Sequence, residues 1–153
     1  MTVPSFVGLK PASSASSRSK RSNKSLGTAH EAFLMARLKS LGFKFECNVR
    51  SLPGKPDIAF LREKIAVFCD GDFWHGRNWN SLRHKLARGS NGKYWKAKIQ
   101  SNIQRDKRIN RELTSIGFDV IRIWESDIID NYTQVLERVE LQIQQNKKRG
   151  SSK

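Results

Sequence analysis

Residues 57–76 read DIAFLREKIAVFCDGDFWHG, and the fold turns on how they are parsed. "DIAFL" (57–61) and "IAVFC" (65–69) are short apolar runs suited to strands, separated by the charged triplet Arg62-Glu63-Lys64. That pattern predicts a β-hairpin centred near Glu63. Asp57 stands six residues before that centre and Cys69 six after, so antiparallel pairing sets them across from each other. Asp70 follows at the open end. Acids, a glycine, two large rings and an imidazole are then crowded into residues 70–75.

Working outward, "TAHEAFLMARLKSLGF" (28–43) opens on Thr28, a suitable helix cap, and carries Leu34, Leu38 and Leu41 at helical spacing until Gly42 ends it. "FKFECNV" (43–49) alternates like a strand, and "LPGKP" (52–56) is a turn. Downstream, Gly71 to Gly92 is polar and reads as loop. A long helix is expected from about Lys93 to Ile116. "FDVIRIW" (118–124) is another strand, and helix returns from about Ser126, ending with "TQVLERVELQIQQ" (133–145). The order α-β-β-β-α-β-α predicts an α/β fold, a mixed β-sheet flanked by helices, in a single domain over residues 27–146. Residues 1–26 are Ser-rich and basic with no periodic apolar face, and are expected to form a flexible basic arm. Residues 147–153 are expected to be a frayed basic C-terminal tail.

The chain has 153 residues, 37% hydrophobic, enough for one core. Lys and Arg number 29 against 14 acids, a net charge of +15. A field of that strength predicts a polyanionic partner, nucleic acid before an anionic membrane. Cys47 and Cys69 fit no zinc spacing and make no disulfide framework; both fall in strand-like runs and are expected in the core, reduced. No run approaches ~18 apolar residues, and the N-terminus lacks the apolar core of a signal peptide. The expected setting is a reducing interior: cytoplasmic and nucleoid-associated, or a phage-encoded protein acting in the host cytoplasm.

Several polar residues stand where apolar ones belong. Asp57 and Asp70 at a strand end, beside backbone carbonyls, are the oxygen donors that a hard cation such as Mg²⁺ takes; Pro-Asp is also an ordinary turn end. Glu31 shares the stripe of Leu34 and Leu38. Asp106 interrupts the stripe Trp95, Ile99, Ile103, Ile109, Leu113. A lone carboxylate on a core-facing stripe is costly unless partnered. Either each is a buried ion pair, or both converge with Asp57 and His75 on one site. Imidazole exchanges protons near neutral pH, which makes His75 the candidate general base. His30 and His84 read as surface residues. Phe73 and Trp74 are either core rings or wedges between base pairs. A basic belt including Arg77, Lys93 and Arg105 suits phosphates.

"SLPGKPDIAF" followed by "IAVFCDGDFWHG" resembles the very-short-patch-repair (Vsr) endonuclease family, a branch of the PD-(D/E)xK restriction-endonuclease-like nucleases related to the EDxHD homing endonucleases. "NIQRDKR" and "GFDVIRIWE" resemble later family segments, so the likeness runs from about Thr28 to Glu140. It implies a Mg²⁺-dependent endonuclease, with Mn²⁺ as a substitute, acting on double-stranded DNA. Asp57 matches the metal-binding aspartate, and Cys69 the residue whose carbonyl also binds metal. His75 matches the histidine that activates water, Asp106 the aspartate supporting it, and Glu31 the acid of the first helix. Phe73 and Trp74 match the intercalating rings. Asp70 stands where mismatch-repair members carry a second histidine, and would join the metal ligands. Asp72, Arg77, Trp79 and Ser126 stand at the structural-zinc positions, so no structural zinc is expected. These departures point toward cutting ordinary duplex rather than strict T·G mismatch nicking, with specificity aided by a partner protein or a homodimer. The rival reading is a non-catalytic nucleic-acid-binding module, which explains the charge and the rings but not Glu31 and Asp106 on apolar stripes.

Overall fold

The computed structural model describes residues 29–151; the arm expected over residues 1–26 lies outside them. Helix α1 covers residues 29–40. Strands β1 (Glu46–Cys47), β2 (Ile58–Phe60) and β3 (Ile65–Asp70) follow, then helices α2 (Trp79–Ala87) and α3 (Gly92–Ser115), strand β4 (Asp119–Trp124), and helices α4 (Glu125–Asp130) and α5 (Tyr132–Ser151). The sheet order is β1-β2-β3-β4, antiparallel between the first three and parallel between β3 and β4. Parallel neighbours require a long crossover, here supplied by α2 and α3. This is the mixed sheet flanked by helices that the sequence implies, consistent with a restriction-endonuclease-like fold.

Alternation along β3 distributes its side chains between two cores. Ile65, Val67 and Cys69 pack with Leu34 and Leu38 of α1 and with Val139 and Ile143 of α5. Ala66 and Phe68 pack with Ile109 and Leu113 of α3. Leu34 and Leu38 are fully buried, each worth about 1.5–3 kcal/mol by removal from water. Sheet and helices thus form three layers, and the carboxyl ends of β3 and β4 lie side by side, Asp70 paired with Trp124.

The structure corrects several expectations. The β2–β3 pairs are Ile58↔Val67, Ala59↔Ala66 and Phe60↔Ile65. Residues 61–64 therefore form the turn, with Lys64 at φ 56, and the register moves by one from a centre at Glu63. Continued outward, it sets Asp57 across from Phe68 rather than Cys69. Strand β1 has only two residues, because Asn48 turns away at φ 50. On that short edge Cys47 is exposed rather than core, and Cys69 is half-buried. Leu41 is also exposed. Helix α2 lies within the stretch expected to be loop. Its Trp79, Leu82 and Leu86 recur at helical spacing, but no α2 residue is buried, so polar residues mask the stripe. The tail expected to fray from residue 147 continues α5 to Ser151. Just before it, Asn146 Nδ2 donates to Glu63 O (2.9 Å) and Asp119 Oδ2 (2.7 Å), and within it Arg149 donates to Asp119 Oδ2 (2.5 Å).

Candidate active site

Two clusters of polar side chains meet at the carboxyl end of β3. The first is a pair of carboxylates. Asp57 enters just before β2, its backbone carbonyl accepting from Asn48 N–H at 3.0 Å. Its Oδ2 accepts the Cys69 N–H at 2.7 Å. In a strand the N–H and C=O of one residue point to the same side, so the Cys69 carbonyl also faces the side on which Asp57 lies. Glu31, from α1, lies close to Asp57. Burial first, and then the Asp57 charge, push the Glu31 carboxyl up to about 7, with Lys55 opposing weakly. Burial likewise raises Asp57, against the Cys69 N–H that favours its charged form. Two carboxyls this close, each disfavoured as an anion, form an environment that a bound cation would relieve.

The second cluster lies toward α3. Asp106 is 9% exposed on the buried stripe of that helix, and His75 Nδ1–H donates to its Oδ2 at 2.5 Å. The bond fixes the tautomer and leaves Nε2 with a free lone pair. Asp70, buried at the end of β3, has Oδ1 3.6 Å from His75 Nδ1. Burial raises its carboxyl, opposed by His75 and Arg122. Arg122, paired with Phe68 in the β3–β4 register, donates through Nη1 to both Asp70 oxygens at 3.0 and 3.1 Å. The same nitrogen lies 3.6 Å from Asp106 Oδ1, Nε donates to Asn110 Oδ1 at 2.8 Å, and the guanidinium lies 4.2 Å from the Phe68 ring centroid.

The loop between β3 and α2 is fastened to α3. Asn102 Nδ2 donates to Trp74 O at 2.8 Å. Gly76, at φ +70, lies so close to α3 that a Cβ there would stand 2.6 Å from Ile103 Cδ1. Phe73 and Trp74 stack edge-on with Trp95 at centroid distances of 5.6 and 5.8 Å. Both rings are half-buried: they belong to an aromatic cluster and also retain surface. At the other end of the loop, Arg77 Nη1 donates to Ser126 Oγ (2.5 Å), Nη2 to Asp127 Oδ1 (3.2 Å), and Ser126 Oγ–H to Asp72 Oδ2 (2.6 Å). Three of the four positions where the resemblance places zinc ligands are therefore joined by hydrogen bonds.

The structure thus brings Glu31 to Asp57 and His75 to Asp106, and sets Asp70 beside the second pair. Asp57 links the clusters, for its carboxyl responds to Asp70 and His75 as well. Lys93 and Arg105 are exposed on α3, whereas Arg77, grouped with them from sequence, is committed to Asp72, Ser126 and Asp127. Sequence reasoning missed Arg122, Glu125 and His30. His30 is half-buried, not on the open surface, with Nδ1 3.7 Å from Glu125 Oε1. Burial raises Glu125, and His30 opposes the shift. The one available signal was the charge of Arg122 inside the apolar strand "DVIRIW".

The family profile described as DNA mismatch endonuclease Vsr matches residues 12–81. The chain is 41% identical over 112 residues to the type II nicking enzyme V.HpaIIP of Haemophilus parainfluenzae, covering 73% of this chain and 78% of that protein. It is 40% identical over 119 residues to the type II nicking enzyme V.NmeDIP of Neisseria meningitidis serogroup C, covering 78% and 79%. With the DNA mismatch endonuclease Vsr of Escherichia coli (strain K12) it shares 30% over 109 residues, covering 71% and 68%. Among the described residues, no helix is long and apolar enough to cross a membrane.

Proposed function

This chain belongs to the Vsr endonuclease family, and from that premise we propose that it is an endodeoxyribonuclease hydrolysing phosphodiester bonds of duplex DNA with Mg²⁺, for which Mn²⁺ substitutes. The observation that carries the reading is the adjacency of a carboxyl pair, Glu31 and Asp57, to a hydrogen-bonded imidazole–carboxylate dyad, His75 and Asp106. The first offers oxygen donors for a cation and the second a proton acceptor.

The donor set fits a hard cation, all oxygen and partly buried. Asp57 and the Cys69 carbonyl would hold it, with Glu31 close to Asp57. When bound, the ion supplies positive charge against the scissile phosphate and the departing oxygen. The chain's own residues do the rest. His75 accepts a proton from the attacking water at Nε2. Asp106, through Nδ1–H, holds the ring in the competent tautomer and stabilises the imidazolium that forms. Arg122 fixes Asp106 and Asp70 in turn. Phe73 and Trp74 present their exposed edges to the bases, while Lys93 and Arg105 contact phosphates and set a steep salt dependence.

Incubation of supercoiled plasmid with the chain tests this, using Mg²⁺, Mn²⁺ or EDTA and reading nicked and linear forms. The expected result is metal-dependent cutting, abolished by EDTA and by Asp57→Ala while DNA binding persists. No cutting by the wild type with either metal would instead favour the non-catalytic binding module. A second reading, strict mismatch nicking, is favoured by the names of the relatives and by the ring cluster beside the site. Parallel assays on T·G-mismatched and fully paired duplexes separate the two, since equal cutting excludes it.

A further inference from the structure

We propose that Arg122 is the resident cation of the Asp70–His75–Asp106 cluster, a positioning residue whose guanidinium holds the place a second divalent ion would take, so that Asp57 but not Asp70 binds metal. The inference deepens the metal-dependent reading above and rests on it.

On spacing alone the cluster looks like a metal centre. One ligand atom from each of Asp70, His75 and Asp106 lies within 4.8 Å of the others. Two observations argue otherwise. The first is the His75 Nδ1 to Asp106 Oδ2 contact of 2.5 Å. Ligands of one octahedral ion, each about 2.0–2.1 Å from it, stand roughly 2.9 Å apart. A gap of 2.5 Å is that of a short hydrogen bond, and the Nδ1 that carries its proton has no lone pair for a metal among these oxygens.

The second is the position of Arg122. Its Nη1 reaches both Asp70 oxygens and approaches Asp106 Oδ1, Nε is bonded to Asn110, Nη2 lies 3.5 Å from the Asp106 carbonyl, and the plane rests on Phe68. All three nitrogens are engaged, so the group has a single placement. A guanidinium keeps its charge at any working pH. A divalent ion entering among the same oxygens would meet a fixed positive charge and would have to break the Asp70 pairing. Asp57 differs: its Oδ2 accepts a backbone N–H, a neutral donor, and the Arg122 and His75 charges reach it without an ion pair among the described residues.

Mn²⁺ titrated into the full chain without DNA, followed by calorimetry and by the spin-resonance signal of free Mn²⁺, tests the assignment. The wild type is expected to bind one ion per chain. Asp57→Asn weakens that binding by about tenfold or more, whereas Asp70→Asn changes it by less than about twofold. Arg122→Met gains a second ion, lost again when Asp70→Asn is added. Arg122→Lys, which keeps the charge, gains none. Asp70→Asn weakening the wild type as strongly as Asp57→Asn overturns the proposal, as does a natively folded Arg122→Met that still binds one ion. Should Arg122→Met fail to fold, the comparison of Asp70→Asn with the wild type decides alone. If Asp57→Asn leaves Mn²⁺ binding intact, the carboxylate-pair reading fails together with the Asp57 half of this proposal, and the Asp70 and Arg122 variants still decide whether Arg122 is the cluster's resident cation.

Discussion

Replacing Glu31 by Gln probes the carboxylate pair through stability, independently of cleavage. The Glu31 carboxyl is raised from 4.5 to about 7 by burial and by Asp57. The folded chain therefore holds this proton more tightly than the unfolded chain does. Below about pH 4.5 both states are protonated and nothing is lost. Between 4.5 and about 7 stability falls as pH rises, and above 7 the whole penalty is present. At about 1.36 kcal/mol per unit the full penalty is about 3.4 kcal/mol. Glu31 is only half-buried, and solvent screening reduces that to about 1–2 kcal/mol. Gln keeps the shape and has no charge to desolvate. In EDTA, Glu31→Gln should melt about 2–8 °C above the wild type at pH 8 and level with it at pH 4.5. Saturating Mg²⁺ should raise the wild type at pH 8 and shrink the gap, since the cation then compensates the anion. A Glu31→Gln advantage of equal size at both pH values would falsify the reasoning, because a packing effect does not titrate.

Further outcomes follow from the same geometry. His75→Ala should cut turnover by about 10²–10⁴-fold with duplex affinity retained, and Asp106→Asn by a similar factor, because an amide no longer enforces the Nδ1–H tautomer; single-turnover nicking beside a gel-shift assay reads both. Lys93→Ala and Arg105→Ala should each lower the slope of log affinity against log salt by about 0.9. Arg77→Ala should leave that slope unchanged and lower the melting temperature instead, its guanidinium being engaged by Asp72, Ser126 and Asp127. Gly76→Ala, combining left-handed backbone with a Cβ 2.6 Å from Ile103, should cost about 1–3 kcal/mol in urea unfolding; adding Ile103→Ala should return the steric part, and no recovery would refute the clash.

The fold was legible where burial imposes a period. The stripe of α3 is periodic because one side of the helix faces a core, β3 is a short apolar run because both its faces do, and both lie within a few residues of where the sequence sets them. Legibility failed where burial is weak. Helix α2 buries no residue outright, so its three large apolar residues are outnumbered by polar ones. The turn at residues 61–64 needs positive φ at Lys64, a conformation that Lys does not announce, and the register moved by one in consequence. The end of α5 is fixed by long-range hydrogen bonds from Asn146 and Arg149 to Asp119, contacts that no local pattern encodes.

The site was legible to the extent that a charge violated a stripe. Glu31 and Asp106 stand out in sequence because each interrupts an apolar face, and the structure gives each a polar neighbour, Asp57 and His75. Arg122 breaks a strand in the same way, yet reads as an ordinary solvent-facing residue because alternating strands normally carry such charges. Its partner, Asp70, lies on a different strand, so only the parallel pairing of β3 with β4 reveals the match. The three-layer arrangement explains why these residues converge. Cys69 packs toward α1 and α5 while its neighbour Asp70 turns to α3, so one strand end addresses both helical layers. Glu31 arrives from the first layer, Asp106 from the second, and Asp57 closes the sheet between them. The carboxyl ends of parallel strands are where α/β sheets place their ligands, and here that end separates a carboxyl pair without an ion-pair partner among the described residues from a proton-accepting dyad held by arginine.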